Sequence, residues 1–188
     1  EAGDSKIGVT IMSVAPKLDA GDMVKKKSID LEEGITTGEM TKIISKLGAE
    51  LMVNVVNDID FDKPLKFTKQ DESIMTYANK INKFEARVIW KDVESKVIIR
   101  KINAFNPFPG VFCKFRGKII KIWKARKKNN VKTKKPGKLY IDPERNNLFV
   151  TTADGAIEIK EIQLEGKRKM TAEEFIITNK IINEEFLS

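Results

Sequence analysis

Apolar and polar positions change rhythm along the chain, and each rhythm predicts an element. Ile7 to Val14 alternates in part and is rich in β-branched residues, which predicts a strand with some burial on both faces. Ala15-Pro16-Lys17-Leu18-Asp19-Ala20-Gly21-Asp22 is broken by Pro and Gly and predicts a loop. Met23 to Leu31 alternates more loosely, interrupted by Lys25, Lys26 and Lys27, and predicts a second strand. Thr36 and Glu39 stand at capping-box spacing. Behind them Met40, Ile43, Ile44, Leu47, Leu51 and Val55 recur at three and four residues, one stripe of a helix of roughly five turns. Two strands and one helix leave more apolar surface than they can cover, so residues 1–60 are expected to be the tail of a larger α/β unit in a longer protein. Periodicity is weak from Asp58 to Thr76, and residues 61–80 are expected to be a linker.

The pattern from 81 to 188 is different. Asp92 is placed to N-cap a short helix carrying Val93, Val97, Ile98 and Ile102, which must stop at Asn106-Pro107-Phe108-Pro109-Gly110. Short β-type runs follow at 111–115, 118–125, 138–141, 148–152 and 156–164. Turn signals at Arg116-Gly117, Pro136-Gly137, Asn146-Asn147 and Asp154-Gly155 separate them. Five short strands so spaced predict a small closed barrel. A last helix opens at Thr171, with Glu174 completing a second capping box, and carries Phe175, Ile177, Ile181, Ile182 and Phe186. Trp90, Trp123, Phe112, Phe115 and Cys113 are expected in the core.

Charge divides the chain at the same place. Residues 1–80 carry 11 basic and 14 acidic side chains, and residues 81–188 carry 24 and 13. Nothing between Glu94 and Asp142 is acidic. A basic run without counter-charges repels itself, which predicts a polyanionic partner, nucleic acid above all. The residues expected to meet it are Lys118, Lys121, Lys124, Arg126, Lys127, Lys128, Lys132, Lys134, Lys135 and Lys138. The stretch from Arg126 to Gly137 reads as a solvated loop suited to phosphates more than to bases. With one Cys and no His, zinc would need an all-carboxylate site, and no metal is expected. No apolar run is long enough to span a bilayer and no secretory start is present, so a cytoplasmic location is expected.

Asp19 and Asp22 flank Gly21 on a loop after a strand, where α/β proteins place functional groups, although Asp and Gly also simply make turns. Gly8-Val9-Thr10-Ile11-Met12 and Leu18-Asp19-Ala20-Gly21-Asp22-Met23 resemble the end of the catalytic domain of methionyl-tRNA formyltransferases. The resemblance continues in order through Thr76-Tyr77-Ala78, Lys83-Phe84-Glu85-Ala86-Arg87, Trp90, Ile102-Asn103-Ala104-Phe105-Asn106-Pro107-Phe108-Pro109-Gly110, Ile122-Trp123-Lys124-Ala125 and Gly166-Lys167-Arg168-Lys169-Met170. Ile89 and Phe108 depart from it, standing where the family usually has Asp and Trp.

The resemblance implies a remnant of a Rossmann-like formyltransferase domain followed by an OB-like barrel with flanking helices. It implies transfer of the formyl group of 10-formyltetrahydrofolate to methionyl initiator tRNA, by an enzyme that is monomeric when whole. In that family an Asn, a His and an Asp form the centre. The Asp falls on Asp19; the other two fall upstream of Glu1, so the chain alone is expected to be inactive and, with sheet edges open, to self-associate. Val14, Leu18, Gly21 and Asp22 are expected along one wall of the folate site. A sugar-nucleotide formyltransferase and a non-catalytic RNA-binding module are the competing readings. The acid-free stretch disfavours the first and the α/β remnant the second.

Overall fold

The computed structural model describes residues 1–128, 135–142, 147–183 and 185–188. They divide into two units, Asp4–Lys80 and Ile81–Ser188, the latter joined by Glu1–Gly3.

In the first unit, β1 (Lys6–Met12) pairs antiparallel with β2 (Met23–Asp30), and α1 spans Thr37–Asp60. Both halves of the Thr36–Glu39 capping box form. β1 alternates strictly between exposed and half-buried residues, so only Ile7, Val9 and Ile11 are covered and the expected two-sided burial does not occur. The reason is architectural: a two-stranded sheet with one helix has one covered face. Leu47, Leu51 and Val55 are the buried positions of α1. Residues 61–80 carry contacts of their own. Thr68 exchanges two backbone hydrogen bonds of 2.8 Å with Met23, and a 3-10 turn at Glu72–Ile74 is capped by Asp71.

The second unit contains α2 (Ser95–Ala104), β3 (Val111–Phe115), β4 (Lys118–Lys128), β5 (Leu139–Asp142), β6 (Asn147–Thr151), β7 (Ala156–Leu164), β8 (Met170–Thr171) and α3 (Ala172–Asn179). The strands form one antiparallel sheet in the order β3-β4-β7-β6-β5, with β8 added to β7. Its inner face, including Val111, Cys113, Ile120, Ile122, Leu148, Val150, Ile157 and Ile159, packs with Ile98 and Ile102 of α2 and Phe175 of α3. Trp90 belongs to this core, and burial pushes the Cys113 thiol up to about 12. Phe112 is half-buried against it.

Four expectations change. The sheet is not a barrel closed strand to strand: no ladder joins β3 to β5 among the described residues. Residues 185–188 lie between those edges, with Lys138–Phe186 and Phe115–Leu187 bridges and reciprocal backbone bonds between Lys114 and Ser188. Arg116, of the stretch that lacks acidic residues, anchors this segment. Its guanidinium grips Glu185 at 2.7 and 3.0 Å and donates to the carbonyl oxygen of Asn179. The last helix stops at Asn179, because Lys180 turns left-handed and the Ile181 N–H bonds back to Ile176, a Schellman-type stop. Finally, Asn147 opens β6, whereas Asn146 of the expected turn lies outside the described residues.

The fourth change concerns α2. Asp92 does not cap it; the flanking residue is Glu94, which makes no side-chain cap. Asp154, in the turn before β7, accepts from the Ser95 N–H at 2.6 Å and the Ser95 hydroxyl at 2.8 Å. The Thr152 hydroxyl (3.1 Å) and Lys127 (3.2 Å) also donate to this carboxylate. The Ser95 N–H donation and these other bonds, against the opposing effect of burial, hold Asp154 well below the usual carboxylate range. A group so depressed stabilises the fold above its unfolded pKa, near 4, and loses that contribution as pH falls toward its folded value. Asp154→Asn is therefore expected to cost about 1 kcal/mol at pH 7, the worth of a helix cap. Urea denaturation of both proteins should show the difference shrinking below pH 4; a pH-independent difference would contradict the assignment.

Candidate functional site

The loop between β1 and β2 is built by hydrogen bonds rather than by burial. Its ends are closed by the Ser13 N–H donating to the Asp22 carbonyl at 3.0 Å. Gln70 then clamps its far side, its amide donating to the carbonyl oxygens of Asp19 (2.8 Å) and Gly21 (2.7 Å). Asp19 sits at φ 52°, left-handed backbone that Asp tolerates better than most residues. Its carboxylate is exposed and has no hydrogen-bond or ion-pair partner among the described residues. Residues 12–15 and 17–21 line an open cleft of about 220 Å³. Val14 and Leu18 stand fully out into solvent at its rim, and Gly21 is buried in its floor. A Cβ at Gly21 would lie 1.7 Å from the Ser13 carbonyl oxygen, so only glycine permits this closure. Asp22 does not line the cleft; its carbonyl serves the loop closure instead. Among the described residues no group of carboxylates or Cys could hold a metal ion.

The expected cations have separate fates. Arg126, Lys127 and Lys128 belong to β4 rather than to a loop. The strand is bulged at Trp123: Ile122 pairs with Ile162 and Lys124 with Glu161, leaving Trp123 unmatched. This resets the alternation, so Ile120 and Ile122 point inward before the bulge and Ala125 packs on the core after it. Trp123 is buried outside the core cluster, with Lys121 and Lys169 over its ring at 5.4 and 3.6 Å from the centroid. The Lys121 ammonium also donates to the Pro109 carbonyl at 2.8 Å. Gly110, at φ 80°, brings the chain close over Trp123, where a Cβ would approach the indole to 2.7 Å.

The run that lacks acids in sequence recruits them from elsewhere. Lys127 pairs with Asp154 at 3.2 Å, and Arg126 with Glu158 at 2.5 Å. Glu158 is 2% exposed and also pairs with Lys160. Burial pushes its carboxyl up, but the bonds from Arg126 and Lys160 outweigh this and hold it below the usual range. Lys118, Lys124 and Lys135 are exposed with no carboxylate partner among the described residues. Lys138 is half-buried beside the 185–188 segment, and Lys132 and Lys134 lie outside the described residues. Sequence reasoning missed Gln70, which no local pattern marks. It also missed Lys160 and Lys169, whose places depend on the bulge and on strand register.

The described residues thus give one unit with an antiparallel sheet backed by two helices, and another with a β-hairpin whose connection carries a carboxylate that has no partner among them, beside a cleft. Residues 80–180 match the family described as formyl transferase, C-terminal domain, and residues 1–56 match the one described as formyl transferase. The chain belongs to the formyl transferase family. Over 93% of its length it is 36% identical to the methionyl-tRNA formyltransferase of Carboxydothermus hydrogenoformans and 38% identical to that of Methylococcus capsulatus. Each alignment covers 56% of the relative, so the chain spans little more than half the length of these proteins. The crystal structure of HypX from Aquifex aeolicus in complex with tetrahydrofolic acid shares the fold, with a TM-score of 0.69, 20% identity, and coverage of 99% of this chain and 34% of that one.

Gly21→Ala tests the loop. The added methyl must displace the Ser13 carbonyl, and the expected cost is about 1–3 kcal/mol, as for an overpacked site. Denaturation midpoints and amide exchange at Ala20 and Asp22 would register it; wild-type values for both would show that the loop is not closed this way.

Proposed function

We propose that this chain supplies the carboxylate loop and the RNA-holding half of an enzyme that transfers a formyl group from 10-formyltetrahydrofolate to the α-amine of methionyl initiator tRNA. The observation that carries the reading is its similarity, over 93% of the chain, to relatives that bear that substrate in their name. The partly apolar cleft beside Asp19 fits the co-substrate: Val14 and Leu18 offer apolar surface to a flat heterocycle, and Gly21 keeps the floor open to it. The folate, when bound, supplies the formyl group. In this reading the 81–188 unit works as an OB-like module, its edges spanned by residues 185–188.

The geometry of Asp19 supports an orienting role. An amine attacking a formyl carbon must lose a proton, and a neutral imidazole is the usual acceptor. A carboxylate bonded to the other ring N–H fixes the tautomer and steadies the imidazolium that forms. Asp19 has its backbone clamped by Gln70 and its carboxylate uncommitted among the described residues, as an orienting group requires. The chain has no His to orient, so the imidazole comes from outside these 188 residues.

Two results test the reading. The 188-residue chain, given 10-formyltetrahydrofolate and methionyl-tRNA, is expected to form no formylated product above blank; turnover would overturn the division of roles. It is also expected to bind initiator tRNA with a steep salt dependence. Replacing Lys124 and Lys128 by Gln should lower the slope of log K against log salt by about 1–2, near 0.7–0.9 per lost phosphate contact. An unchanged slope would remove β4 from the interface.

A further inference from the structure

The outer face of the second unit's sheet carries a row that the function above does not use. Tyr140 pairs with Phe149, Phe149 with Glu158, and Glu158 with Arg126, so four side chains stand in register across β5, β6, β7 and β4. Their neighbours in sequence, Leu139, Leu148, Val150, Ile157 and Ile159, fill the core, which puts the row on the opposite face. Tyr140 is 51% exposed. Phe149, buried beside it on the neighbouring strand, flanks it with ring centroids 6.1 Å apart. Lys128 lies 5.2 Å from the Phe149 centroid, and Arg126 and Lys160 converge on Glu158.

Burying a carboxylate is costly unless it is paired, and Glu158 is paired twice. Its effect is to hold a guanidinium and an ammonium in fixed places on the same face as the exposed aromatic ring, two to three strands away from it. With Lys128, the patch keeps a net positive charge after Glu158 is neutralised. An exposed ring flanked by a second ring, with fixed cations on the strands beyond it, is an arrangement that can stack an unpaired base and bind phosphates along the same strand of nucleic acid. A plain charged patch would have no use for the flanked tyrosine, and a duplex would offer it no base face.

We propose that this row, with Tyr140 as the stacking platform and Arg126, Lys128 and Lys160 as phosphate contacts, binds a single-stranded, unstacked nucleotide of the RNA partner. The inference rests on the RNA-directed reading and adds to it a binding mode: recognition of an unpaired segment rather than of duplex backbone alone.

The test is a binding titration of the 188-residue chain and its Tyr140→Ala, Tyr140→Phe and Lys128→Gln variants against initiator tRNA, a single-stranded oligoribonucleotide and a blunt RNA duplex. Tyr140→Ala is expected to weaken single-strand binding roughly 5- to 100-fold, the worth of one aromatic stack, with the salt slope unchanged. Tyr140→Phe should bind as wild type, which also shows that the site tolerates substitution. Lys128→Gln should flatten the salt slope for every ligand. Wild-type binding by Tyr140→Ala, or equal losses for single strand and duplex, would overturn the platform while leaving the RNA-directed reading standing. If the unaltered chain binds none of the three RNAs, that reading falls as well.

Discussion

The second unit depends on the pairing of β4 with β7. This ladder is the centre of the sheet: β3 hangs from one side of β4, while β6 and β8 attach to β7. Its irregularity is as consequential as its length. A one-residue slip in a strand sends every later side chain to the other face. The bulge at Trp123 adds a residue on β4, and the next shift, from Glu161 to Ile159, skips Lys160 on β7. The two offsets cancel. Ile157 and Ile159 therefore remain inward while Glu158 and Arg126 meet on the outer face.

The same ladder explains the charge distribution. A stretch without acids from Ser95 to Ile141 is self-repelling as a linear chain. Folded, β7 and the turn before it set Glu158 and Asp154 against β4, so Arg126 and Lys127 are neutralised in place and Lys124, Lys128 and Lys118 are left outward. Among the described residues, the charge left without a carboxylate partner is thus a subset of the run, chosen by strand register. Arg116, from the same stretch, uses its fork to hold Glu185 and the end of α3.

What could be read from the sequence was what depends on neighbours in sequence. Thr36 with Glu39, Thr171 with Glu174, and Arg116-Gly117 each specify their structure within four residues. The strand runs of the second unit and the loop bearing Asp19 were legible for the same reason. The cap of α2 was not, because the Asp that performs it lies 59 residues from its donor and Asp92 offered a nearer decoy. Closure of the sheet was misjudged because the chain that meets both edges is a short segment with no strand rhythm. Nor could Gln70 be found, since its clamp on Asp19 reaches across 51 residues.

That clamp matters because of how little else holds the first unit. A two-stranded sheet is marginal alone. α1 buries Leu47, Leu51 and Val55 but leaves Ile43, Met52, Val53, Val56 and Ile59 exposed. A site positioned by such a layer would drift with it. Instead the Asp19 loop is tied to its own surroundings by Ser13 to Asp22, Gln70 to Asp19 and Gly21, and Thr68 to Met23. Each of these is backbone-directed, and each lies within a few residues of the carboxylate or on the segment beside it. The geometry of the loop is therefore specified by hydrogen bonds to its backbone and one obligatory glycine rather than by apolar burial.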